Sequence, residues 1–187
     1  MVTVAPVMTG GEFLKRPGDG VERELIDGEV RERPMTARNV AHSRSNSWLP
    51  RLLLDWREQQ PEPRGDVLCG EARFRIRRNP DTIVGIDVAS IGPEHAARTL
   101  RQAKFVDGPP LLAIEILSPP DTQEDIAAKI RLYRDAGVHL VGIVETKFET
   151  ITVYRPDAPP VLFNAAQELT AEPHLPGLRV PVARIFA

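Results

Sequence analysis

Short apolar runs separated by proline, glycine and polar residues recur along the chain, and they predict a sheet. Residues 111–117 (LLAIEIL) form such a run between prolines, which is typical of a strand buried on both faces. Residues 82–90 have the same character. Residues 66–77 alternate apolar and polar positions, and Gly70 within them favours a β-bulge. We therefore predict strands in these three segments.

Turn chemistry adds hairpins to this sheet. Asp27-Gly28 lies between two alternating flanks, and this dipeptide is the strongest short hairpin signal. It predicts that residues 22–26 pair with residues 29–33. A second hairpin is predicted to begin with the apolar run at residues 138–145.

Two main helices are predicted beside the strands. Residues 37–59 carry apolar side chains at helical spacing, and Pro50 either restarts this helix or kinks it. The other helix follows the proline-bounded strand, is capped by Asp121 or Thr122, and ends at Gly137. We therefore predict an α/β (α+β) fold, a mixed central sheet flanked by helices.

One carboxylate interrupts the most apolar strand. Burying Glu115 unpaired would cost several kcal/mol, so either the strand end opens onto a cleft or a cation lies beside it. Ile126, Ile130 and Tyr133 form the apolar stripe of the following helix. Lys129 lies about 60° from Ile126 and about 40° from Tyr133 at 3.6 residues per turn, so it faces inward. The Glu115–Lys129 pair is either a functional site or a structural ion pair.

The composition limits which binding partners and metal sites the chain can have. The 24 Lys and Arg residues against 26 Asp and Glu give a formal net charge of −2, so contact with nucleic acid must come from a local patch. The single Cys69 excludes an internal disulfide framework and a multi-cysteine metal site, and we expect it to be a small, buried or half-buried residue on a strand.

From the residues we expect neither an export signal nor a membrane-spanning segment. Its N-terminus lacks the basic start and apolar core of a secretory signal, and no apolar run reaches about 18 residues. We expect a cytoplasmic protein without membrane contact, folded as a single domain over residues 1–187 with residues 1–8 disordered.

Three acidic residues and one lysine are candidates for chemistry: Glu24, Asp87, Glu115 and Lys129. Asp87 alone is explained equally well as the exposed end of its strand. Carboxylates from two strands can hold one hard cation, Mg²⁺ or Mn²⁺, and a lysine beside it can orient water or neutralise charge on a phosphate.

Three stretches together resemble one protein family. RELIDGEV at residues 23–30, GIDVAS at residues 85–90, and LLAIEILSPPD followed by AAKIRLYRDAGV within residues 111–138 are similar to the Uma-type family of restriction endonucleases, part of the PD-(D/E)XK nuclease superfamily. The resemblance covers nearly the whole chain. It implies a restriction-endonuclease-like fold, divalent metal, DNA as the substrate and a possible homodimer.

The resemblance also implies roles for individual residues. Asp87 and Glu115 match the family's metal-binding acids, and Lys129 matches a lysine that has moved from the strand to the helix, because position 117 is leucine. Glu24 matches the glutamate of the N-terminal motif. His42 resembles a recurrent helix histidine without an assigned role, and from the residues alone it is more typical of a surface or capping position.

The chain departs from the family pattern at a few positions, and none removes a proposed ligand. The departures are Ile86, Pro120, Gly142 and the helix-interrupting Pro50. A second hypothesis therefore remains: a catalytically inactive protein that keeps the nuclease fold as a binding or assembly module, which the net negative charge favours.

Overall fold

The computed structural model describes residues 7–34, 38–99 and 103–187. In these ranges the chain forms a mixed sheet, four α-helices and a small two-stranded sheet near the C-terminus. The helices are α1 (Gly10–Phe13), α2 (Val40–Arg57), α3 (Pro93–Arg98) and α4 (Gln123–Asp135). The strands are β1 (Val21–Ile26), β2 (Glu29–Pro34), β3 (Asp66–Arg77), β4 (Thr82–Ile91), β5 (Val106–Asp107), β6 (Leu112–Ile116), β7 (Leu140–Glu145), β8 (Thr150–Arg155), β9 (Ala158–Asn164), β10 (Glu168–Thr170) and β11 (Arg179–Pro181). A 3₁₀ turn, Val182–Ile185, follows β11.

The main sheet has nine strands among the described residues, in the order β2-β1-β4-β6-β7-β8-β9, with β3 and β5 attached beside β4. Strands β6 and β7 are parallel and α4 connects them, whereas β4–β6 and β7–β8 are antiparallel. The predicted mixed sheet flanked by helices is therefore confirmed.

Strand β4 pairs with three other strands, and two of them share one of its edges. On one edge it pairs with β3 along nearly its whole length. On the other edge it pairs first with β1, where Leu25 is opposite Ile83, and later with β6, where Ile114 is opposite Val88. Strands β1 and β6 thus share one edge of β4 and leave a fork between them.

Helices α2 and α4 cover opposite faces of the sheet. Ile114 of β6 packs with the α2 side chains Leu49 and Leu53 in one apolar cluster. The adjacent Ala113 packs with Tyr133 of α4 in a second cluster on the other face. Neighbouring residues of β6 therefore point alternately to α2 and to α4, as expected for a strand.

Most predicted elements are present, with shifted ends. The Asp27-Gly28 hairpin forms, with both turn residues at positive φ. Helix α2 runs through Pro50 as one continuous element, and its predicted start at residue 37 lies outside the described residues. Cys69 is exposed, which corrects the expectation of a buried or half-buried side chain, because it lies beside the bulge of β3.

The ends of the chain differ from their predictions in part. Residues 1–6 lie outside the described residues, but the main-chain amide of Met8 donates to the Gly28 carbonyl oxygen at 2.9 Å, so residue 8 is tied to the β1–β2 turn. The short strands β5, β10 and β11 were not predicted, since two- and three-residue strands carry little periodicity. Among the described helices none is long and apolar enough to cross a membrane.

Candidate active site

A cavity of about 320 Å³ opens in the fork between β1 and β6. Its charged lining is acidic toward the sheet and mixed toward the rim and α4, where Asp121 and Asp125 lie beside the cations. The carboxylates nearest the sheet are Glu22, Glu71, Asp87 and Glu115, and the cations are Arg33, Arg38 and Lys129.

Each carboxylate oxygen of Glu115 has a hydrogen-bond donor from α4. Glu115 is buried on β6, and Lys129 donates from Nζ to its Oε2 at 2.8 Å, while the hydroxyl of Tyr133 donates to its Oε1. Burial raises the pKa of Glu115 to about 7, and the nearby Lys129 charge limits the rise. Both side chains reach Glu115 because positions 129 and 133 are one turn apart and therefore lie on the same face of α4.

Lys129 keeps its charge in this setting. Its half-buried position disfavours the ammonium ion, but the negative charges of Glu115 and Glu24 outweigh this cost and raise the pKa of Lys129 well above its ordinary value. Lys129 is therefore a fixed cation that donates hydrogen bonds.

Asp87 lies on β4 immediately before the residue that pairs with β6, so it is next to Glu115 across the strands. It is only 4% exposed, and this excludes the alternative that Asp87 marks an exposed strand end. Its Oδ2 accepts a hydrogen bond from the Ile116 amide at 2.8 Å. Burial disfavours the charge, but contacts with His42 and the Ile116 amide hold the pKa of Asp87 below its ordinary value.

Glu71 joins the cavity through the bulge of β3. Gly70 and Glu71 both have positive φ, and the register shifts between Cys69 and Ala72. The bulge turns the Glu71 side chain over Gly85, where an added Cβ would lie 2.7 Å from Glu71 Oε2.

The surroundings of Glu71 disfavour its negative charge. Partial burial and the charges of Asp87 and Glu22 raise the pKa of Glu71 to about 7. Sequence reasoning missed this residue. The bulge predicted at Gly70 was the available signal, but a bulge does not say which cavity its neighbour will enter.

Glu24 lies beside the main cavity. It lines an adjoining cavity of about 340 Å³ together with Glu22, Arg38 and Glu71. Of the four predicted site residues, three therefore share one cavity, and Glu24 acts on it through its charge near Lys129.

Two arginines close the rim. Arg38 donates from Nη2 to Glu71 Oε1 at 2.7 Å and from Nη1 to Ser118 Oγ at 3.1 Å. Arg33 donates to Asp125 Oδ1 at 2.9 Å. Each guanidinium group lies between two carboxylates, Arg33 beside Asp121 and Asp125 and Arg38 beside Glu22 and Glu71, so the rim is a set of ion pairs.

The donor set suits a hard divalent cation that keeps several waters. Asp87 and Glu115 present carboxylate oxygens side by side, and crowding of negative charge in the cavity favours an added cation. No three His, Cys, Asp or Glu side chains within the described ranges are arranged to enclose a metal on their own. Water and substrate oxygens would have to complete its coordination.

Comparisons with known proteins agree with this architecture. A family model described as "Uma2: Putative restriction endonuclease" matches residues 11–183. A crystal structure described as "a putative nuclease belonging to DUF820", from Anabaena variabilis, has a TM-score of 0.75 over 96% of this chain and 97% of that chain, at 21% identity. At this identity the likeness shows the fold alone. None of the curated proteins compared with the chain matches it significantly.

Proposed function

The chain belongs to the Uma2 family, described as "Putative restriction endonuclease", and from this premise we propose that it is a metal-dependent endonuclease that hydrolyses phosphodiester bonds in DNA. The observation that carries the proposal is the convergence of Asp87, Glu115 and Lys129, from two strands and a helix, on one open cavity. Perturbed ionisable groups gathered in a cleft are typical of an active site.

Asp87 and Glu115 are the proposed ligands of Mg²⁺ or Mn²⁺. Such an ion supplies Lewis acidity, which lowers the pKa of bound water and stabilises charge on a phosphate. The protein's own contribution is to fix the two carboxylates. The Ile116 amide holds Oδ2 of Asp87, and Tyr133 and Lys129 hold the two oxygens of Glu115.

Lys129 has an electrostatic role in this proposal. A lysine with a raised pKa is a poor base, so it does not take the proton from the attacking water. Its ammonium group instead donates to a non-bridging oxygen of the scissile phosphate and offsets the negative charge that develops there. Glu24 supports this role by favouring the charged form of Lys129.

Arg33 and Arg38 are the proposed contacts for phosphates next to the scissile bond. Both lie on the rim of the cavity, and both now pair with carboxylates. Guanidinium can bind a phosphate with two parallel hydrogen bonds, whereas Arg33 and Arg38 each donate one hydrogen bond to their present carboxylate, so a phosphate can compete with these partners.

The test is nicking of supercoiled DNA in Mn²⁺ by the unaltered protein and by Glu115→Ala, Asp87→Asn and Lys129→Met. Each variant is expected to lose activity by about 10²-fold or more. Lys15→Met and Glu168→Gln are matched controls, because both residues are exposed and lie outside the cavity. Full activity in Glu115→Ala and Lys129→Met would refute the assignment.

The alternative is an inactive protein that keeps the nuclease fold as a binding or assembly module. One observation favours it: Glu115, Lys129 and Tyr133 already satisfy one another as a closed network. Calorimetric titration with Mn²⁺ separates the two functions. Neither heat of binding nor a rise in Tm is expected of a purely structural ion pair.

A further inference from the structure

The inner face of α2 carries buried polar atoms that the packing of the fold does not explain. Within the described ranges, four such side-chain atoms lack a hydrogen-bond partner: His42 Nδ1, His42 Nε2, Ser45 Oγ and Asn46 Oδ1. His42 is 2% exposed, which corrects its expected surface position. A buried polar group without a partner costs about 1–3 kcal/mol, so an apolar residue would stabilise this position better.

The position of His42 is fixed by its surroundings. Its main-chain amide donates to the side chain of Asn39, the N-cap of α2, at 2.8 Å. About two and three turns further along, Leu49 and Leu53 anchor the same helix on the sheet. The imidazole is therefore held against β4 and cannot turn toward solvent without moving the helix.

Among the described residues, Asp87 is the only charged group within ion-pair distance of the imidazole. His42 Nε2 lies 3.6 Å from Oδ2 of Asp87, the same oxygen that accepts from the Ile116 amide. This separation is just beyond hydrogen-bond length, and a movement of a few tenths of an ångström would close it. In the described part of the chain the Ile116 amide is the only amide or basic group that donates to Asp87, and the carboxyl group of Glu71 also lies beside Asp87 and can donate to it when protonated.

We propose that His42 is a positioning residue for Asp87: it donates from Nε2 to Oδ2, and together with the Ile116 amide it leaves Oδ1 directed to the cation. The proposal rests on the proposed function, in which Asp87 is a metal ligand. A neutral imidazole with its proton on Nε2 and a charged imidazolium both donate from this atom, so the role does not depend on titration. Side chains that hold a metal ligand in this way typically change metal affinity by 10- to 100-fold.

Three variants of the full chain test the role. His42→Phe keeps a ring of similar size without a donor, His42→Gln restores an N–H donor, and Ser45→Ala is the matched control, since Ser45 is equally buried and unpartnered one turn along the same helix. The readouts are the dissociation constant for Mn²⁺ by calorimetry and Tm without metal.

We expect His42→Phe to weaken Mn²⁺ binding by 10- to 100-fold with an unchanged or raised Tm, His42→Gln to recover most of the affinity, and Ser45→Ala to bind as the unaltered protein does. Equal affinity in His42→Phe, or an equal loss in Ser45→Ala, would overturn the proposal. If His42→Phe does not fold, the comparison of His42→Gln with His42→Leu decides in the same way.

A metal-free measurement separates this proposal from the proposed function. If the unaltered protein binds no Mn²⁺, the proposed metal site fails. The contact is then judged from Tm of His42→Gln, Asp87→Asn and the double variant. Shifts that deviate from additivity by about 2 °C or more support a direct His42–Asp87 contact, and additive shifts refute it.

Discussion

The two carboxylates at the centre of the cavity have opposite surroundings. Glu115 faces α4, and both of its oxygens accept hydrogen bonds from that helix. Asp87 has one full hydrogen bond, from the main chain of β6, and a longer contact with α2. Helix α4 thus offsets the charge of Glu115 and fixes both of its oxygens. On the α2 side, Asp87 keeps more of its capacity to accept further contacts. In the proposed metal site, this difference would leave Glu115 to order the site and Asp87 to carry more of the binding of the cation.

Removing the lysine is expected to have the largest effect on the α4 side. Lys129→Met should lower nicking activity by about 10²- to 10³-fold, because a preorganised donor is lost. It should also destabilise the fold by about 1–3 kcal/mol at pH 8, because loss of the Lys129 charge raises the pKa of Glu115 further, and the buried carboxyl must then either take up a proton or stay charged beside Tyr133 alone. At pH 6 the loss should be smaller, because Glu115 can take up a proton. Denaturant unfolding at pH 6 and pH 8 measures the two losses of stability. An equal loss at the two pH values would contradict this account.

The tyrosine offers a milder change on the same side. Tyr133→Phe removes the hydrogen bond to Glu115 Oε1 while keeping the buried ring, so we expect a loss of about 1–3 kcal/mol in the free energy of unfolding. Tyr154→Phe, on β8 and away from the cavity, is the matched control. A Tyr133→Phe variant as stable as the control would mean that Lys129 alone satisfies Glu115.

Distance along the chain explains how much of this site could be predicted. Lys129 follows Glu115 by 14 residues on the next helix, and the helical period alone turns it toward the strand. The partner of Asp87 on α2 and the bulge that brings in Glu71 depend on how β3, β4 and α2 assemble. Periodicity within one segment carries no information about that assembly, so His42 seemed a surface residue and Glu71 was overlooked.

The fold shows the same difference between features set by local sequence and features set by distant segments. The β1–β2 hairpin and the succession of the long strands along the chain follow from local patterns, and these predictions are confirmed. The fork between β1 and β6 could not be predicted, because it requires both strands to pair with different parts of one edge of β4. That fork opens the cavity in which Asp87, Glu115 and Lys129 meet, so the shape of the cavity could not be predicted from local patterns, and the roles of these residues stay a prediction.

Stability should also depend on pH in a way that reports the crowded carboxylates. The pKa of Glu71 and the pKa of Glu115 are raised to about 7 in the folded protein, above their ordinary value of 4.5. Between these values the folded state binds more protons than the unfolded state, so the free energy of unfolding should fall as pH rises from about 4.5 through 7. Asp87 has the opposite sign: its lowered pKa contributes stability that is lost only as pH falls below its ordinary value of 3.8.

Saturating Mn²⁺ should counteract the fall in stability with rising pH. The effect should be stronger at pH 8 than at pH 6, because the carboxylates must be ionised to bind the ion. The check is Tm against pH with and without the metal. A rise in Tm that is the same at both pH values would place Mn²⁺ away from Glu71 and Glu115.

The smallest expected effect isolates Glu71 from Glu115. Glu71→Gln removes the repulsion with Asp87 and Glu22 but also the pairing with Arg38, and its partial exposure to solvent weakens both. We therefore expect a gain of no more than about 1 kcal/mol at pH 8 and none at pH 5, so that the pH profile becomes flatter. Gly85→Ala should flatten it in the same direction, because the added methyl group would push the Glu71 carboxylate away from the strand. If both variants keep the full slope between pH 5 and pH 8, Glu115 alone carries it, and the contrast between the α2 and α4 sides is sharper than the raised pKa of Glu71 implies.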